Sequence, residues 1–200
     1  MIAIKSNNYL NDDIKSKDYF DEYQAWNDFR NGDELAYIKI YEFSFDMLLH
    51  FGSQLCNNVE LIEDTIQDIF IDLRIKRENL PEIKYSLKYY LIRVFRNKLI
   101  RYIDREKWLL NLHKTSAFDS FKFVKSSEQI MIANQDSDDR LVKLEKATNS
   151  LTSKEREAIY YYFYLNMSYI EVKEILNLKS VKSTRNLVYR ALNHLREILY

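Results

Sequence analysis

Glycine and proline are nearly missing from this chain: two glycines and one proline occur in 200 residues. Sheets need turns built from those residues, so their scarcity confines the fold to helices joined by short polar connections. At 46% hydrophobic and 14% aromatic, the chain has enough apolar surface to bury real cores. Its length allows one or two domains. The single cysteine, Cys56, excludes an intramolecular disulfide and reads as a small buried hydrophobe in a reducing compartment. No apolar run approaches the roughly 18 residues of a membrane span, and the N-terminus lacks a signal peptide's apolar stretch. The expectation is a cytoplasmic, all-α protein without membrane insertion.

The formal net charge is zero, but the charges are segregated. Leu10 to Phe70 holds four Lys/Arg against fourteen Asp/Glu, Ile71 to Lys107 eleven against five, and Lys173 to Glu197 six against two. Such a distribution suggests one acidic surface for a basic protein partner and two basic surfaces for phosphate.

Helical periodicity begins near Tyr23 and runs to about Phe51, interrupted at Asn31-Gly32-Asp33 by a helix stop and an N-cap. Gly52-Ser53 reads as a loosening of that helix. From Val59 an amphipathic helix turns Leu61, Ile62, Ile66, Ile69, Phe70 and Leu73 inward and a row of carboxylates outward. Pro81 breaks the chain. A helix capped at Ser86 then carries an aliphatic-aromatic face and a strongly basic one. Periodicity fades beyond Trp108 into a polar, Ser/Asp-rich stretch and resumes near Arg140. Thr152/Glu155 and Ser168/Glu171 have the spacing of capping boxes, the first followed by Ile159, Tyr162 and Phe163. The divisions are an N-terminal arm at 1–19, a helical domain at 20–107, a linker at 108–139 and a second helical domain at 140–200.

The second domain ends in two helices joined by a tight turn, with Asn177 as a left-handed stop. The last helix has an apolar back and a front of Lys182, Ser183, Arg185, Asn186, Tyr189 and Arg190. That front suits a DNA major groove; it also fits a solvated helix on an ordinary bundle. In the basic helix Tyr89, Tyr90 and Tyr102 interleave with Arg93, Arg96 and Arg101, a composition that holds single strands by stacking and phosphate contacts. Phe95 is assigned to the core, and Tyr89 or Tyr90 beside Arg93 and Asn97 to bases. The carboxylates from Glu60 to Asp72 fit a solvated or protein-docking face better than a cation site. His50, His113 and His194 lack metal-ligand spacing, Cys56 lacks an orienting dyad, and two glycines cannot build a phosphate loop. No catalytic residue, metal or cofactor is expected, and no enzyme.

Taken together, several segments resemble the sigma-70 family of bacterial transcription initiation factors, in its small two-domain extracytoplasmic-function group. Gly32-Asp33-Glu34 with Ala36 and Tyr41 is similar to the family's opening motif. Asp64-Thr65-Ile66-Gln67-Asp68-Ile69-Phe70 is similar to its D-x-x-Q-[DE]-x-F, and Leu91 to Asn97 to its helix ending in Arg-Asn. Leu151-Thr152 with Glu155-Arg156-Glu157 resembles the start of the C-terminal domain, and Met167 to Arg196 its promoter-binding helix-turn-helix. Tyr90 stands where the family commonly has Trp, Arg101 where it often has Asp, and the turn is one residue longer through Lys179-Ser180.

The resemblance implies an alternative sigma factor. Asp64, Gln67, Asp68 and Phe70 would dock on the clamp helices of the largest subunit of core RNA polymerase, with the flap as a second contact. Tyr89, Tyr90, Arg93, Arg96, Asn97 and Arg101 would take the −10 element of promoter DNA as melted single strand. Lys182, Ser183, Arg185, Asn186, Tyr189 and Arg190 would read the −35 element as duplex. The linker would thread the polymerase channel, Asp136, Asp138 and Asp139 mimicking an RNA backbone. The family often has an anti-sigma factor as a further partner. The alternative is a stand-alone helix-turn-helix regulator whose first domain senses a signal or dimerises.

Overall fold

The computed structural model describes residues 20–109, 121–122, 143 and 146–199. The expected arm at 1–19 and Asp136, Asp138 and Asp139 lie outside the described residues. Four helices form the first lobe: α1 (Glu22–Arg30), α2 (Glu34–Ser53), α3 (Val59–Ile75) and α4 (Leu87–Leu109). The second lobe opens with a helical turn at 146–150, followed by α5 (Ser153–Ile159), a π-helical turn (Tyr160–Tyr164), α6 (Tyr169–Ile175) and α7 (Val181–Leu199). Among the described residues there is no strand.

Short polar side chains set the starts of these helices by satisfying backbone donors that have no partner within the helix. The Asp21 carboxylate accepts from Tyr23 N and Gln24 N, Asp33 from Leu35 N and Asn58 from Leu61 N. Gly32, at φ +100°, closes α1 in the left-handed region, and Asp33 N donates back to Asp28 O at 2.9 Å. Both anticipated capping boxes are present, at Thr152/Glu155 and Ser168/Glu171. Asn177 takes φ 50° and Leu178 N reaches back to Lys173 O, so α6 ends as its sequence predicts.

The first lobe closes around Trp26, Ile40, Leu48, Phe51, Ile62, Ile66, Ile69, Leu91 and Phe95, all at most 1% exposed. Gly52 does not loosen α2, as its sequence suggested. It lies inside the helix, where a Cβ would sit 2.5 Å from Ile62 Cγ2 and 3.1 Å from Phe95 Cζ. The missing side chain is what lets α2 approach α3 and α4. Gly52→Ala therefore trades a helix-propensity gain of up to about 1 kcal/mol against overpacking of about 1–3 kcal/mol. A net loss of about 1–2 kcal/mol is expected, read as a lower urea midpoint at unchanged m-value.

The loop between α3 and α4 is tied to α1 rather than free. Trp26 Nε1 donates to Pro81 O at 3.0 Å, Tyr23 Oη donates to Tyr85 O at 3.0 Å, and Glu22 accepts from Leu87 N at 2.8 Å. In the second lobe the π-helical turn shifts the side-chain register by inserting an extra residue per turn. Tyr160 and Tyr161 are buried, whereas Phe163 is 50% exposed.

Candidate nucleic-acid interface

The outward face of α3 presents Asp64 and Gln67 to solvent. Asp68 is half-buried and engaged: it accepts from Tyr102 Oη and pairs with Lys98 Nζ at 3.4 Å. Lys98 also reaches Asp72 at 2.9 Å, and this hydrogen bond holds the Asp72 carboxyl below its ordinary range. Of the two readings open for Phe70, partner anchor and inward core residue, the structure has the second. Phe70 is 2% exposed, its ring meeting the Tyr41 ring at 4.9 Å and 78°, so it joins α3 to α2 and offers no anchor to a partner.

On α7 the expected two faces are realised. Thr184, Leu187, Val188 and Ala191 are buried. Lys182, Arg185, Asn186, Tyr189 and Arg190 are exposed, with Ser183 half-buried at the N-terminal end. The Lys179-Ser180 insertion has a local purpose: Ser180 Oγ accepts from Ser183 N at 3.1 Å and so caps α7. The Arg185 guanidinium lies over the Tyr169 ring at 5.5 Å, which steadies it from the preceding helix.

The basic face of α4 is where the structure departs most from expectation. Arg93, Asn97 and Arg101 are exposed, but Tyr89 and Arg96 are only 6% exposed. Tyr89 Oη accepts from Arg93 Nη1 at 3.0 Å, and Tyr90 is half-buried against Trp26, ring to ring at 5.0 Å. Neither tyrosine is a free stacking platform. Tyr90 is covered from within the first lobe by Trp26 of α1, while the second lobe packs on the basic face, with Arg93, Arg96 and Asn97 lining a crevice opposite Glu174, Ile175 and Asn177 of α6 and its turn.

That packing is polar as well as apolar. Arg96 Nη2 contacts Glu157 Oε1 and Oε2 of α5 at 3.2 and 3.0 Å, and Tyr161 Oη donates to the same carboxylate at 3.1 Å. Burial pushes the Glu157 carboxyl up, while Arg96 and Tyr161 pull against it. Glu171 does double duty. Oε2 accepts from Ser168 N at 2.8 Å in its own capping box, and Oε1 accepts from Ser86 N at 3.2 Å and from Ser86 Oγ. Ser86 Oγ in turn accepts from Tyr89 N, so one carboxylate supports the N-termini of α6 and α4. Burial works against its charge, but the bonds from Ser86 and Ser168 outweigh it and hold the Glu171 carboxyl low. Lys88 Nζ donates to Leu165 O at 3.1 Å.

Phe121, in the stretch read as linker, is fully buried between the lobes, with its ring 5.4 Å from Tyr160 and 6.3 Å from Phe51. Lys122 N donates to Gln54 O, and Arg156 Nε donates to Phe121 O. Nothing in its polar neighbourhood singled out Phe121. Glu157 and Tyr161, four residues apart on an inward helical face, were the available signal for the buried pair.

His50 completes this junction. Its Nδ1 lies 2.9 Å from Tyr160 Oη, its ring stacks on Tyr164 at 4.9 Å, and Nε2 is buried without a partner. Burial lowers its pKa from the ordinary 6.5. A depressed histidine contributes its full stability above pH 6.5 and loses it as the pH falls towards the folded value, because only the unfolded state takes up the proton readily. Wild type should therefore lose more melting temperature than His50→Gln between pH 7.5 and 5.5. Comparing the two cancels the opposite contribution of Glu157.

Fold and surfaces together define an all-helical protein with an acidic helix face and a separate basic helix face. More particularly, residues 42–109, from within α2 to the end of α4, match the family model of sigma-70 region 2. The fold is similar to that of CnrH, solved in complex with the cytosolic domain of CnrY. There the TM-score is 0.57 at 16% identity, covering 89% of this chain and 96% of that one. It is also similar to the sigma factor RpoE in complex with the anti-sigma factor NepR from Bartonella quintana, with TM-score 0.57 at 21% identity, over 82% and 96%. No curated protein matches the sequence. Among the described residues no helix is long and apolar enough to cross a membrane.

Proposed function

We propose that this chain is an alternative sigma factor that binds core RNA polymerase and directs initiation at promoters by recognising −10 and −35 elements. The observation that carries this reading is the region 2 match over residues 42–109 in a chain whose α7 separately presents Lys182, Arg185, Asn186, Tyr189 and Arg190. Asp64 and Gln67 of α3 would meet a basic coiled coil of the largest polymerase subunit, where charge complementarity sets encounter and register. The front of α7 would read the −35 duplex, its early residues touching base edges and its flanking cations gripping phosphates. Arg93, Arg96, Asn97 and Arg101 of α4 would hold the melted −10 strand. An anti-sigma partner is in keeping with the complex in which RpoE was solved. The role is not enzymatic and is exercised in the cytoplasm, where polymerase works.

Transcription with sigma-free core polymerase on genomic fragments tests this. Addition of the protein is expected to yield discrete start sites. An absence of new starts, with footprinting of duplex operators by the isolated protein as a symmetric dimer, would overturn it.

A further inference from the structure

Of the aromatic side chains on α4, Tyr89 and Phe95 are buried and Tyr90 and Tyr102 are half-buried. Trp108, in the last turn, is 67% exposed, whereas the chain's other tryptophan, Trp26, is 1% exposed. An indole left in water forgoes one of the largest apolar burials open to any side chain, and such rings are enriched where partners bind. Trp108 also stands in line with the exposed cations of its helix. Arg93, Asn97, Arg101, Asp104, Arg105 and Trp108 are all exposed and recur at helical spacing, which sets them along one face. At about 1.5 Å per residue the row is roughly 22 Å long. It carries three arginines and one carboxylate, Asp104. The crevice against α6 takes in Arg93 and Asn97 at one end of the row, and Trp108 lies at the other. Helical side chains lean towards the helix N-terminus, so the indole lies over the turn of Asp104 and Arg105 and continues the row's surface.

An arginine row that ends in an accessible indole has the chemistry that holds an unpaired nucleic-acid strand, the cations taking phosphates and the flat ring a base face. A duplex offers the same phosphates but keeps its base faces stacked inside the helix, so it can use the arginines and not the indole. We infer that Trp108 is a base-stacking platform: a single strand laid along Arg93, Asn97, Arg101 and Arg105 ends with a base against its indole. Trp108 thus supplies the stacking that the closed-off Tyr89 and Tyr90 do not. The inference rests on the reading of α4 as a strand-holding surface and adds to it the residue that tells single strand from duplex.

The test uses the full chain and a dye-labelled single strand of about 12 nucleotides and mixed sequence, longer than the row, with the same sequence as duplex for comparison. Affinity is read from anisotropy. Stacking is read with unlabelled DNA from the chain's own tryptophan emission, because Trp26 is shielded and Trp108 is not. The strand should quench the exposed indole and the duplex should not. Trp108→Ala should weaken strand binding about fivefold or more and leave duplex affinity, core-polymerase affinity and melting temperature unchanged. Trp108→Phe keeps a flat ring and should recover most of the loss. Arg101→Ala with Arg105→Ala should weaken strand and duplex alike and reduce the salt dependence of both.

Equal strand affinity in parent and Trp108→Ala, without quenching, would overturn the platform, while a loss in the arginine variant would still uphold the reading of α4. A loss in Trp108→Ala with none in the arginine variant would overturn the reading of α4 and uphold the platform. Equal losses of strand and duplex affinity in Trp108→Ala, or a loss of core binding, would overturn the platform by giving the indole to phosphate-side packing or to a protein partner. Absence of strand binding by the parent would overturn both.

Discussion

Removal of the Glu157 carboxylate is expected to split thermal unfolding into two transitions. In the packed protein the Arg96 guanidinium has its counter-charge 3.0 Å away and almost no water. Glu157→Ala would leave that cation buried without its carboxylate, and breaking a buried ion pair in this way costs about 3–5 kcal/mol. Parting the lobes returns Arg96 to solvent and avoids the cost, so the interface gives way before either lobe does. Calorimetry should then resolve the first lobe from the second. Arg96→Leu combined with Glu157→Leu removes both charges together, and exchange of a buried pair for apolar groups is commonly neutral or stabilising. A single transition near the wild-type temperature is expected for that double variant. A single transition in Glu157→Ala at the wild-type temperature would show that the pair contributes nothing to closure.

Trp26→Ala should have the largest effect inside the first lobe. The indole is 1% exposed, packs on Phe29 and Tyr90 with ring separations of 5.8 and 5.0 Å, and donates to Pro81 O. Truncation of a buried Trp costs about 3–5 kcal/mol, which for a chain of this length lowers the melting temperature by roughly 10 °C. It also frees the loop before α4, since the Pro81 carbonyl loses its donor. Trp26→Phe keeps most of the apolar contact and should lose only about 1 kcal/mol, the worth of the hydrogen bond. Equal destabilisation by both substitutions would assign the stability to the hydrogen bond rather than to packing.

What was legible in the sequence is what depends on neighbours along the chain. Thr152/Glu155, Ser168/Glu171, Asp33 and Asn177 mark helix ends because a cap needs residues only a few positions away. The inward and outward faces of α3 and α7 follow from periodicity alone. The basic aromatic face of α4 was visible too, but periodicity does not say what a face packs against. Tyr89 and Tyr90 therefore read as surface groups although they are closed off by contacts with distant segments. Arg96 and Glu157 lie 61 positions apart, and Ser86 and Glu171 lie 85 apart. Phe121 is isolated in a polar stretch, and the π-helical turn at Tyr160–Tyr164 moves the side-chain register by one residue relative to a 3.6-residue pattern. Phe70 was open to two readings, because a motif position can serve the core of its own domain, and its inward place in the α3 period was the better guide.

Equilibrium binding to immobilised core RNA polymerase tests most directly whether α3 carries the polymerase-docking face proposed above. Wild type should bind, and Asp64→Ala should bind at least about tenfold more weakly, equivalent to about 1.4 kcal/mol, with its melting temperature unchanged because Asp64 is exposed. Failure of the wild type to bind core, or equal affinity in Asp64→Ala, would contradict the account.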